Sequence, residues 1–143
     1  MIEDKKQFLV DDIYLLGNIA SHAITLGFGD EALKILKFLQ IARSKNAGAF
    51  MMEAMHMAAI GNITGAIQFL EDSAVFGADT NRDEAIAFHL LLLQENSQND
   101  RALKLGEAYL AENLLMTDTA RNTVERLVSE LRKSELEVSA VHL

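Results

Sequence analysis

The side chains best suited to chemistry in this chain are histidines and paired carboxylates. His22 and His56 stand 34 residues apart, and His89 falls one short of the next equivalent place once a longer third repeat is allowed for. Two imidazoles can share a metal, but equivalent groups on neighbouring packed helices lie about 8–10 Å apart. That is too far for two rings to ligate one ion unaided, and no His-x-x-x-His pair supplies a further ligand. Asp11-Asp12, Asp30-Glu31 and Asp83-Glu84 could do acid–base work. Each falls at a predicted helix start or exposed turn, where capping and solvation account for it. The chain has no Cys, hence neither a thiolate nucleophile nor a disulfide framework. Gly-x-Ser-x-Gly, P-loop and dinucleotide fingerprints are absent, and Gly27-Phe28-Gly29 lacks the preceding strand a phosphate loop needs. The expectation is a protein with no catalytic residues, metal or cofactor, and not an enzyme.

Composition narrows the partners. With 13 Lys and Arg against 21 Asp and Glu, the chain carries a formal charge of -8. Nucleic-acid phosphates need clustered cations, and anionic lipid surfaces need the same. Neither nucleic acid nor membrane insertion is expected, and the longest aliphatic run, Leu90 to Leu93, is far too short to span a bilayer. The charged opening MIEDKKQFLVDD predicts no cleavable leader, and the absence of Cys fits a reducing cytoplasm. Half of the 143 residues are apolar and none is Pro, which favours one helical domain over 1–143.

A repeat organises that helix. Gly27 stands five before Ala32, and Gly61 five before Ala66, both pairs returning after 34 residues. Ala102 follows 36 residues after Ala66. Each Ala precedes Leu or Ile (Leu33, Ile67, Leu103), then Lys or Gln, then a large apolar residue (Ile35, Phe69, Leu105). This period is the tetratricopeptide signature, in which two antiparallel helices cross at a small residue. The spacing predicts an all-α, tetratricopeptide-like right-handed solenoid with repeats over about 8–44, 47–77 and 80–115 and a capping helix over about 118–138.

Within it seven helices are expected, over about 8–26, 30–43, 47–60, 64–76, 80–95, 100–115 and 118–138. Asp30 is the expected N-cap of the second, Thr80 with Asp83 a capping box for the fifth, and Thr117 or Asp118 the cap of the seventh. Ala120, Val124, Leu127, Val128 and Leu131 form one apolar stripe on that last helix.

The first helix of each stacked hairpin lines the concave groove. Counting back from the turns gives Tyr14, Gly17, Ser21 and Ile24, then Gly48, Met51, Met55 and Ala58, then Glu84, Ala87, Leu91 and Gln94. Asn18, Met52 and Phe88 lie beside them. Cationic clamp side chains are nearly absent there, which argues against capture of an acidic C-terminus. Tyr14, Met51, Met52, Met55, Phe88 and Leu91 are the expected partner-binding residues, because soft Met side chains suit an amphipathic helix.

The segments HAITLGFGDEALKILKFLQ (22–40), MHMAAIGNITGAIQFLEDSA (55–74) and LLLLQENSQNDRALKLGEAYL (90–110) resemble the YscG-type chaperones of bacterial type III secretion. The resemblance implies a cytoplasmic bacterial chaperone in a heterodimer or heterotrimer. A needle subunit's amphipathic helix would lie in the groove, protected from premature polymerisation. A small helical co-chaperone would sit on the N-terminal repeat, with Phe8, Leu9, Ile13 and Leu16 as its seat. Without partners the chain is expected to self-associate. Two departures stand out: the helix after Thr117 is additional, and Ser97 replaces the turn glycine. Chaperones of secreted translocator proteins and generic tetratricopeptide adaptors are the alternatives.

Overall fold

Four helix ends share one backbone solution, and the architecture follows from where they fall. The computed structural model describes the backbone of residues 2–141 and the side chains of residues 12–140. Among these, the helices are α1 (Ile2–Thr25), α2 (Gly29–Ala42), α3 (Gly48–Ala59), α4 (Ile63–Asp72), α5 (Arg82–Glu95), α6 (Asn99–Ala111) and α7 (Asp118–Val141), with a short 3-10 turn at Val75–Gly77. The fold class of the described residues is all-α.

Gly27 after α1 and Gly61 after α3 take φ of +89° and +91°. In both turns the glycine N–H bonds the carbonyl three residues back, and the next N–H reaches five back: Phe28 to Ala23, Asn62 to Met57. This is the Schellman arrangement, which satisfies the orphan carbonyls of a helix end. Ser97 after α5 holds the same conformation at φ +59°, with Gln98 bonding Leu93. The turn thus survives the loss of its glycine, at the cost of a side chain in the left-handed region. Asn113 at φ +53° ends α6 in the same way. In each of the first three turns the residue after the left-handed one also opens the next helix. Ala32, Ala66 and Ala102 donate to Phe28, Asn62 and Gln98, and all three alanines are buried.

The chain forms two compact units, Met1–Asn81 and Arg82–Leu143. In the first, α1 packs on α2, α2 on α3, and α3 on α4, while α1 touches α3. Ala20, Ala32, Leu36 and Leu39 form its first core cluster, against which Ile13, Leu16, Ile24 and Met52 pack. In the second, α5 packs on both α6 and α7, and α6 on α7. Val124, Leu127, Val128 and Leu131 of α7 are buried, as the apolar stripe requires. Gly106 of α6 faces Val128, so a Cβ there would sit 2.7 Å from Val128 Cγ2.

Several expected boundaries shift. Helix α1 begins at Ile2 rather than near Phe8. The N-cap position of α2 is Phe28, not Asp30, because left-handed Gly27 brings the chain into the helix two residues earlier. Helix α4 stops at Asp72, not Phe76: Ser73 turns to extended backbone while its hydroxyl donates to the Leu70 carbonyl at 2.7 Å. Helix α6 stops at Ala111 rather than Leu115, at the Asn113 turn. Thr117 does cap α7, its hydroxyl accepting from the Ala120 N–H at 3.3 Å.

The Thr80–Asp83 pair is not a capping box. Asp83 is buried, and its Oδ2 accepts from the Met116 and Thr117 N–H groups, each at 2.7 Å. Arg82 binds its Oδ1 at 3.2 Å and also donates to the Leu114 carbonyl at 2.9 Å. A carboxylate placed on the N-terminal amides of α7 is favoured by the helix dipole and by charge-assisted hydrogen bonds.

Candidate functional site

In the first unit, α3 is fixed to α2 at two levels, and this fixing shapes a cleft. Near the end of α3, buried His56 lies over Gly29, where any Cβ would overlap the ring. Its Nε2 meets Asp30 Oδ1 at 3.0 Å. One turn earlier, buried Glu53 accepts from Gln40 Nε2 at 2.6 Å and pairs with Lys37 Nζ at 2.8 Å. Lys37 also stands over the Phe69 ring of α4, 5.0 Å from its centroid. Glu53 and His56 have a spacing that two metal ligands can have, yet each is engaged by α2. Among the described residues no group of three or more His, Asp or Glu is arranged to hold a metal.

The joint between helices is equally defined. Asn46 and Thr80 form a parallel bridge: Ala47 N–H donates to the Thr80 carbonyl and Asp79 N–H to that of Lys45, at 2.9 and 2.8 Å. Asn46 Oδ1 accepts from the Gly48 N–H and from Asn81 Nδ2, both at 2.9 Å. A Cβ at Gly48 would meet these two side chains at 3.1 and 3.3 Å, so the small residue lets the amide pair lie over the start of α3.

Between α1, α3 and these joints lies a cleft of about 460 Å³. Tyr14, Gly17, Asn18 and Ser21 of α1 line it with Gly48 and Met52 of α3; four of these belong to the expected groove stripes, and Asn18 and Met52 are the residues expected beside them. Ile13, Leu39 and Ala49 complete the apolar wall, while Arg43, Asn46 and Asn81 form a polar end. Tyr14 is 74% exposed and Met52 half-buried. Met51 and Met55 do not line this cleft: Met51 is half-buried and Met55 49% exposed elsewhere on α3. In the second unit, Leu91 is exposed and Phe88 half-buried on α5.

Ile13 and Leu16 pack against the Ala20–Leu39 core cluster of their own hairpin, and Ile13 also lines the cleft. The side chains of Phe8 and Leu9 lie outside the described residues. Among the described residues of α1 the exposed large apolar side chains are Tyr14, Leu15 and Ile19, with Leu26 just beyond its end. Of these, Tyr14 lies on the expected groove stripe, whereas Leu15, Ile19 and Leu26 fall outside it.

The expectation that cationic and amide side chains are nearly absent does not hold for this cleft. Arg43, Asn46 and Asn81 come from the joints between helices, which a count along first helices passes over. A recurrent Asn in the two joints, Asn46 and Asn81, was the available signal. A second cleft, about 230 Å³ between the start of α6 and the second half of α7, is lined by Asn99, Asp100, Leu103, Leu131 and Val138 among others. On α6, burial pushes the Tyr109 phenol up from its ordinary pKa, against the pull of the Arg82 guanidinium.

No family model matches the chain, and neither a curated protein nor a solved structure matches it.

Proposed function

We propose that this chain is a tetratricopeptide-like chaperone that holds an amphipathic helix of a secreted subunit in the cleft beside α1 and α3. In this reading the client is of the needle-subunit kind, kept from polymerising in the bacterial cytoplasm before export. A small helical co-chaperone covers part of α1, and the chain self-associates when both partners are missing. The observation that carries the reading is the apolar cleft of about 460 Å³ with Tyr14 and Met52 on its walls. A volume of this size suits a few large side chains of one helical face. The three turns of one design, spaced 34 and 36 residues apart, support the repeat class. No helix among the described residues is long and apolar enough to cross a membrane.

The test is co-expression with candidate secreted subunits, purification of the complex and calorimetry. Tyr14→Asp places a charge in the cleft at an exposed position and should weaken binding about 30-fold, the equivalent of about 2 kcal/mol for a central anchor. Glu125→Ala, on the wet side of α7, should leave affinity unchanged. Equal affinities for both variants would remove the cleft from the binding surface.

A further inference from the structure

The polar end of the cleft has a sign. The chain carries -8 overall, yet among the described residues no acidic side chain lines this cleft, and Arg43 stands at its rim. The Arg43 guanidinium donates from Nη1 to the carbonyl of its own helix end, Ala42, at 3.3 Å, and among the described residues no carboxylate pairs with it. Beside it Asn46 uses its Oδ1 for Gly48 and Asn81, which leaves its amide N–H groups as donors. Asn81, which donates from Nδ2, keeps its Oδ1 as an acceptor, but the charged group here is the Arg43 guanidinium, a complement to a carboxylate.

Register within the cleft follows from α2. Leu39 and Arg43 both line it and stand one helical turn apart, so the guanidinium lies one turn beyond the apolar wall. Along α1 the lining runs from Ile13 to Ser21, about 12 Å at the rise of a helix. A trough of two turns fits the side of a helix rather than a chain end.

We infer that the cleft selects an amphipathic helix in which a Glu or Asp side chain lies three or four residues from a large apolar anchor, the anchor against Tyr14, Leu39 and Met52 and the carboxylate on Arg43. This rests on the proposed helix-holding role and adds a charge rule and a register to it.

The probes are fluorescein-labelled 16-residue amphipathic peptides with one Leu/Phe stripe, differing only in Glu, Gln or Lys four residues after the central Phe. Fluorescence polarisation is read against the full chain, Arg43→Gln and Arg43→Glu, with circular dichroism confirming that each variant is folded. The Glu peptide should bind the native chain about fivefold tighter than the Gln peptide, with Lys weakest. Arg43→Gln should abolish the preference and Arg43→Glu should reverse it. Raised salt should shrink the Glu advantage while leaving Gln-peptide binding in place. Equal binding of the three peptides, or a ranking unmoved by Arg43→Glu, overturns the charge rule alone and leaves the helix-holding role standing. No binding of any peptide, at concentrations where Tyr14→Asp and native chain behave alike, overturns both.

Discussion

Helices α1 and α5 each lead into the same left-handed turn, yet they treat their apolar side chains differently. Helix α5 buries Ala85, Ile86, Leu90, Leu92 and Leu93, because α6 covers one side of it and α7 another. Helix α1 packs on α2 and meets α3 only along an edge, and it leaves Tyr14, Leu15 and Ile19 exposed. The second unit thus completes its core with its own terminal helix. The second still exposes Leu91, Leu114, Met116, Leu136 and Val138, but the first leaves Tyr14, Leu15 and Ile19 together on one helix beside a cleft, where each forgoes on the order of 1–3 kcal/mol of burial. Exposed apolar surface beside a cleft is what the proposed helix-holding role would use. The contrast locates the candidate site in the first unit.

The contrast can be broken most severely in the core of either unit. Ala66 is fully buried in the first, so Ala66→Glu introduces an unpaired buried charge. A loss of at least about 4 kcal/mol is expected by urea unfolding, enough to remove most of a small domain's stability. In the second unit, Asp83→Ala strips the Met116 and Thr117 N–H groups of their acceptor. A cost of about 3 kcal/mol is expected. Hydrogen exchange should accelerate in α7 while α2 stays protected, and equal acceleration in both would contradict the separation of the two units.

A smaller change sharpens the picture of how α3 is placed. Gly29→Ala forces a Cβ into the His56 ring and should cost about 2 kcal/mol. In a His56→Ala background the same substitution should cost less than about 0.5 kcal/mol, because the overlap is gone. Additive penalties in thermal unfolding would show that the ring does not fix the α2–α3 contact.

Much of the fold was legible from residue spacing. Gly27 and Gly61 marked their turns, and Ala32, Ala66 and Ala102 the buried positions, because a left-handed turn and a tight helix contact each tolerate few residue types. Ser97 and Asn113 hold the same conformation without that mark, and only backbone geometry reveals them. Asp83 was misread because a carboxylate near a helix start has a local use by default. Its partners, Met116 and Thr117, are more than thirty residues away in sequence. The cleft was half legible. Tyr14, Gly17, Asn18, Ser21, Gly48 and Met52 follow from helical periodicity, whereas Arg43, Asn46 and Asn81 reach it from the joints, outside the first helices that the periodicity describes.

The central claim is that the first unit, and not the second, presents the helix-binding surface. The direct measurement is a backbone nuclear magnetic resonance titration of the full chain with the 16-residue Glu peptide. Shifts concentrated at Gly17, Asn18, Ser21, Gly48 and Met52, with the α6–α7 amides unmoved, are the predicted result. Shifts centred on the α6–α7 cleft at Leu103, Leu131 and Val138, with the α1–α3 cleft silent, would contradict it.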